Sequence, residues 1–249
     1  MPEIKDSIVS PSIAPEPPVA MKNFYQRHRT EILLFFGFWL SFGYFFHLQA
    51  GWNANARYTL TLALVDKHTF SIDDYHEADI VMTGDKAYYN GHFYSDKSPA
   101  LSFIAVPFYA AIKPFLKMSD SIVKTVTAYR WTIFWTVCLW AALGAMLFYK
   151  LMRYFGAGNH EAILLTFFMI YGTNVGGYTS IFYPYLPATT CLLGAYVLLM
   201  QVRLRQEQIS AWRAAFIGFL ISMAGFLEFT FGLAGALLML LVLATMQPR

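Results

Sequence analysis

The chain has 249 residues, of which 57% are hydrophobic, 18% aromatic and only 13% charged, with a mean hydropathy of +0.44. Soluble domains carry roughly 25% charged and about 45–50% apolar residues, so this composition excludes a water-soluble globule and points to a chain solvated largely by lipid. A net charge of +3 excludes a strongly basic nucleic-acid binder. Cys138 and Cys191 both fall inside apolar runs, so they offer neither a disulfide framework nor a cysteine-rich metal site.

In chain order, residues 1–30 are polar and proline-bearing and read as a flexible cytoplasmic tail, ending in the basic, aromatic stretch Lys22 to Arg29. Ile32 to Leu48 is the first long apolar run; it is longer than a signal core and reads as a first membrane span. Residues 50–98 form a polar insertion holding seven of the fifteen acids and three of the six histidines. Loops this long are usually functional or disordered, and this one carries signals of structure. Asn53 and Asn55 are placed to cap a helix through Arg57 to Val65, with Leu60, Ala63 and Leu64 on one face. Asn90-Gly91, flanked by Tyr88-Tyr89 and Phe93-Tyr94, predicts a tight hairpin.

Ala100 to Ile112, with Pro107 inside, is short for a span and suits a segment that dips into the membrane. Further spans are expected at about 131–149, 161–181, 185–200, 213–227 and 229–246, the last two joined by a turn near Glu228. The sum is an all-α polytopic membrane protein with about six to seven membrane segments and a folded extracytoplasmic first loop. The positive-inside rule leaves two topologies open. If residues 99–117 cross the bilayer, Lys113, Lys117, Lys124 and Arg130 are internal; if they only dip, Lys150, Arg153, Arg203, Arg205 and Arg213 are. The second arrangement puts the 50–98 loop, the Tyr178–Pro187 turn and Glu228 on one side, and is preferred.

The loop brings carboxylates, imidazoles and cations to a membrane surface, where they can serve acid–base work or bind a metal or a phosphate. His68, His76 and His92 match no compact zinc spacing, so no metal site is assigned and a divalent ion, though possible, is not indicated. Glu228 is the only acid in the apolar stretch 211–246; an ionisable group there is either functional or a turn residue reaching the headgroups. From Tyr171 to Pro187, glycines and two prolines interrupt an apolar helix, as in the wall of a wet pocket or a close helix contact.

Asn53-x-Asn55-x-Arg57-Tyr58, Ile72-Asp73-x-Tyr75, Gly84-Asp85-Lys86-Ala87 and Gly91-His92-Phe93-Tyr94-Ser95-Asp96-Lys97-Ser98-Pro99, following a first span, resemble the start of bacterial integral-membrane glycosyltransferases of the GT-C class. The similar group is that of the protein O-mannosyltransferases and aminoarabinose transferases, in particular an uncharacterised branch with a YSDKAPG-like motif. Gly177 to Ala188 and Gly225 to Glu228 extend the resemblance, which covers about residues 31–246. It implies a transmembrane module over residues 31–249, in a bacterial inner membrane. The implied activity is inverting transfer of a sugar from a polyprenyl-phosphate donor to an extracytoplasmic lipid, glycan or protein acceptor, with membrane lipids and no nucleic acid as partners.

On this resemblance Arg57 and Lys97 hold the donor phosphate, and Asn53, Asn55, Tyr94, Tyr178 and Tyr185 line the substrate site. The family's catalytic acid falls just before the Arg57 position, where this chain has Asn53, Ala54 and Asn55. An amide cannot act as a general base, so Asp85, Asp96, Asp73 or Glu228 must take that role. Tyr185 stands where the branch has a histidine, and the relatives are much longer, so the chain looks like the N-terminal part of such an enzyme. Two other readings remain: a transporter or flippase for a lipid-linked or small anionic substrate, using Glu228 and the broken 172–187 helix as a midplane site, and a non-catalytic membrane scaffold. Crowding of the polar groups into one loop favours surface chemistry.

Overall fold

The computed structural model describes residues 24–47, 51–78, 80–116, 121–205 and 208–245. Most of the expected tail, residues 1–23, lies outside them. The chain is mostly helical. It runs through α1 (Phe24–Tyr44), α2 (Gly51–Asp66), a hairpin of β1 (Lys86–Tyr89) and β2 (His92–Ser95), and α3 (Ala100–Ile112). Then come α4 (Ser121–Ile133) and α5 (Leu139–Tyr154), joined by a π-turn at Phe134–Cys138, and α6 (Asn159–Tyr171), α7 (Val175–Tyr178), α8 (Tyr185–Arg205), α9 (Ala211–Leu227) and α10 (Phe229–Thr245). Among the described residues, two helices are long and apolar enough to cross a membrane: Val123–Tyr154, of 32 residues, and Tyr185–Leu204, of 20. Ala100–Leu116, Ala211–Leu227 and Phe229–Leu240 are apolar but shorter.

Side-chain contacts fix how the helices run. Trp39 and Phe134 stack at 4.8 Å near one end of α1, whereas Thr30 and Glu31 share a cavity with Lys150 and Arg153 near the other. Helix α1 therefore runs antiparallel to α5. Helix α6 returns alongside α1, with Phe38 against Phe167 and Ser41 bonded to Tyr171. Helix α8 descends with α5, from Thr190 bonded to Trp140 down to Gln201 bonded to Tyr154. Helices α9 and α10 form a hairpin whose small residues allow close approach: a Cβ on Gly225 would lie 3.1 Å from Gly232 Cα. The π-turn leaves a backbone carbonyl without its usual helical donor, and Trp39 Nε1 donates to Phe134 O at 2.9 Å.

The 51–98 segment sits at the end of the bundle where α1 finishes. Its hairpin turns at Asn90 and Gly91, both with positive φ (50° and 85°), as the two-residue loop requires. The segment is pinned to α2 by Asn55 Nδ2 donating to Met82 O (2.8 Å) and Thr83 Oγ1 donating to Trp52 O (2.8 Å). One expectation needs correction: Asn53 and Asn55 are not caps. Helix α2 begins at Gly51 and both residues lie inside it, the Asn53 side chain accepting from Arg57 one turn on and the Asn55 amide donating to the Met82 carbonyl. Residues Ala54 to Ala63 are buried without a break, so α2 is a central strut rather than an amphipathic surface helix. The break between α9 and α10 falls at Glu228, whose backbone is extended (φ −150°, ψ 121°).

Candidate functional site

Arg57 is the centre of the site. One turn into the buried stretch of α2, its side chain is 2% exposed. Nη2 donates to Glu228 Oε2 at 2.8 Å, across 171 residues of sequence. Nη1 donates to the side-chain oxygen of Asn53 and, at 3.2 Å, to its backbone oxygen. Burial draws the pKa of Arg57 down, while Glu228 foremost, then Tyr185, Tyr183 and Asp96, pull it back up. The extended backbone at Glu228 turns its carboxylate out of the α9–α10 break toward α2. Beside it, Ser98 Oγ donates to Phe226 O and ties the start of α3 to the end of α9.

The second cation lies next to this pair. Lys97 Nζ sits 3.1 Å from Asp85 and 3.3 Å from Asp96. Burial works against its charge, but the hydrogen bonds it donates to Asp85 and Asp96 outweigh that and hold the Lys97 ammonium above its ordinary pKa. Asp85 is aimed by its flanks: its amide bonds to Thr83 Oγ1, and the ring of Trp52 lies flush on Gly84, where an added Cβ would come within 2.7 Å of it. Asp96 biases both Lys97 and Arg57, so the two cations belong to one electrostatic cluster.

An aromatic wall completes the cluster. Tyr178, Tyr183 and Tyr185 are mutually in contact, with centroids 5.4–6.1 Å apart, and Tyr185 stacks on Phe231 of α10. Tyr183 was not singled out from the sequence, yet it lies in the field of both Arg57 and Asp85. Its Tyr-x-Tyr spacing with Tyr185 across Pro184 was the available signal.

Other expected site residues are engaged elsewhere. Asp73 accepts from the Phe93 amide (2.7 Å) and pairs with His92 (2.6 Å), clasping the hairpin; among the described residues none of its contacts involves Arg57, Lys97 or Glu228. Asn55 is spent on the Met82 and Ile80 carbonyls. Tyr94 is half-buried in β2, opposite Ala87 and bridged to Ser71. Among the described residues, no three His, Cys, Asp or Glu side chains converge as a metal site requires.

A cavity of about 570 Å³ lies on the other side of α2, against Tyr58 and Leu62 rather than Arg57. It is walled by Asp66, whose carboxylate accepts from Tyr75 and Tyr109 and pairs with Lys113 at 2.7 Å. The ionic cluster and this cavity are thus separated by the thickness of one helix. No protein family, curated protein or solved structure matches the chain.

Proposed function

We propose that the protein is a multi-pass membrane glycosyltransferase that moves a sugar from a polyprenyl-phosphate donor to an extracytoplasmic acceptor hydroxyl, as its motifs' resemblance to the GT-C class implies. One observation supports this above all others. Charged side chains from positions 57, 85, 96, 97 and 228 gather at one end of a helical bundle, against a wall of tyrosines. In this reading α1, α5, α6 together with α7, α8, α9 and α10 make six crossings of a bacterial inner membrane. The Ala100–Leu116 segment turns back on the extracytoplasmic side. Arg29, Lys150, Arg153, Arg203 and Arg213 then lie at the cytoplasmic end, as the positive-inside rule asks.

The chemistry follows from the pairing. Both cations are already neutralised by carboxylates, so a donor phosphate must bind by exchange. It takes the Lys97 ammonium from Asp85 and Asp96, and Arg57 adds positive potential behind it. The exchange has a second effect. A carboxylate released from an ammonium is a better base, so donor binding arms Asp85 or Asp96 to accept the acceptor's proton. The acceptor oxygen then bonds to the anomeric carbon as the bond from that carbon to the phosphate oxygen breaks. Polyprenyl phosphate leaves with the electron pair, the carboxylate takes the proton, and the anomeric configuration inverts. The exposed face of Tyr178 offers a surface for the apolar face of a sugar ring.

Glu228 lies at the shared end of α9 and α10 rather than at mid-helix, which favours surface chemistry over a midplane transport site. The test is transfer from radiolabelled polyprenyl-phosphate sugars by the full chain in lipid nanodiscs. Lys97→Ala and the Asp85→Asn, Asp96→Asn double variant should each lose at least about 100-fold in rate, the size of a lost general base or phosphate contact. Wild-type transfer by Lys97→Ala refutes the assignment, as does the absence of transfer or donor hydrolysis across the sugars tried.

A further inference from the structure

We propose a second site at the opposite end of the bundle, which binds the phosphate headgroup of an anionic phospholipid. A cavity of about 310 Å³ opens there between the first turns of α1, the last turns of α5 and the start of α6. It is far from the Arg57 cluster: it meets α1 at Thr30 and Glu31, and the rest of that helix, to Tyr44, runs about 20 Å toward the other end of the bundle at about 1.5 Å per residue.

The polar groups in this cavity are donors far more than acceptors. Lys150 and Arg153 stand three residues apart on one side of α5, and among the described residues Lys150 Nζ meets no acceptor. Arg153 Nη1 donates to Ala157 O at 2.6 Å, which holds the guanidinium in place and leaves Nη2 and Nε for another acceptor. Tyr149 Oη donates to Asn159 Oδ1 (2.7 Å), so the Asn159 amide keeps both N–H groups. Gln201 Nε2 donates to Tyr154 Oη (2.7 Å), so that hydroxyl keeps its proton to give. Thr30 adds one more hydroxyl. Against these stands a single carboxylate, Glu31, and it is turned onto His28 Nδ1. Two cations, one of them held in place, and three neutral donors facing one occupied acid match a phosphate diester, whose oxygens only accept.

The ligand's tail is indicated by the surface leading away. From Thr30, the outer side of α1 continues through Leu33, Phe36 and Leu40, which are 56%, 49% and 64% exposed. A free phosphate has no use for that track, whereas an acyl chain lies along it. The volume is at the small end of ligand sites, about 300–1,000 Å³, which suits a headgroup with its chains outside. Basic pockets between helices at the cytoplasmic surface bind anionic headgroups by this chemistry. The inference rests on the bilayer-spanning part of the reading above and not on the transferase chemistry.

The test uses the full chain reconstituted into phosphatidylcholine vesicles containing a minor fraction of phosphatidylglycerol. After detergent extraction, the lipids retained by the protein are identified by mass spectrometry. Phosphatidylglycerol should be enriched over phosphatidylcholine, and Lys150→Gln with Arg153→Gln should cut that enrichment roughly tenfold, as loss of charge-assisted bonds does. Lys150→Arg should preserve it, and Glu31→Gln, which removes the one acid, should raise it; this last variant carries the test if the double variant does not fold. Failure to insert into phosphatidylcholine alone sinks the bilayer reading and this proposal with it. Insertion with equal retention of both lipids overturns this proposal alone. Full displacement of the lipid by an equal concentration of inorganic phosphate overturns the lipid assignment.

Discussion

Arg57 and Glu228 form the contact most open to measurement. The guanidinium is 2% exposed, the carboxylate 18%, and their closest atoms are 2.8 Å apart. At an effective dielectric near 20, two charges about 4 Å apart attract by about 4 kcal/mol, and desolvation offsets much of that. Removing one partner of a buried pair is a different matter, because it strands the other charge; such losses run at about 3–5 kcal/mol. Glu228→Gln keeps the shape and an acceptor oxygen but removes the negative charge that neutralises the buried guanidinium, whose Nε already lacks a partner. The expected cost is about 3 kcal/mol, the lower end of that range. Arg57→Gln strands the more exposed Glu228 and should cost less, about 1–2 kcal/mol. In the double variant no charge is stranded, so the losses should fall short of additive by about 2 kcal/mol. Unfolding of the full chain in detergent, followed by tryptophan fluorescence, supplies the four corners of the cycle. The coupling should survive raised salt, because a buried pair is little screened. A coupling below about 0.5 kcal/mol, or Glu228→Gln as stable as the parent, refutes the reasoning.

Three further outcomes are expected. A Cβ on Gly144 would lie 2.6 Å from Thr190 Oγ1, which donates to Trp140 O; Gly144→Ala should therefore destabilise by about 1 kcal/mol net of its gain in helix propensity. In a Thr190→Ala background the same change should stabilise, and thermal unfolding of the four proteins reads that change of sign. Asp66→Asn removes the partner of Lys113 and weakens the bonds from Tyr75 and Tyr109, at an expected cost of about 1–3 kcal/mol in the same assay; no loss means that the wall of the larger cavity is not held by this carboxylate. The Asp73 carboxyl is held well below its usual range by the Phe93 amide first, then by Ser71 and His92. Its folded pKa lies under the unfolded value near 3.9, so its contribution is present above about pH 4 and lost as pH falls further. Hydrogen exchange at the Phe93 amide should speed up, relative to the intrinsic rate, through that window; unchanged protection down to about pH 2 sinks the clasp.

Several features were legible along the chain because they depend on neighbours in sequence. Asn90-Gly91 dictates its turn through local backbone sterics, and the hairpin forms where those two residues place it. The largely apolar run of 33 residues from Ala214 to Met246 is too long for one helix of bilayer length, and the chain breaks at the one acid within it, Glu228. The crowding of acids and cations into residues 50–98 likewise marked the segment that holds Lys97, Asp85 and Asp96 together.

Hydropathy reports which solvent a segment prefers, and motif residues report which chemistry is available. Neither reports how a helix is rotated against its neighbours. Helix α2 is buried on every side from Ala54 to Ala63, so no periodicity marks the face that carries Arg57 or the face that carries Tyr58 toward the cavity. Asn53 and Asn55 lie two residues apart and look alike in sequence. Packing gives one to Arg57 and the other to the Met82 carbonyl. The partner of Arg57 stands 171 residues away, and only the meeting of α2 with the α9–α10 break decides that pairing. Composition thus determined the environment of each segment, since transfer free energy is additive along a chain. Tertiary packing decided which charge neutralises which, since that depends on distances among residues the chain order leaves far apart.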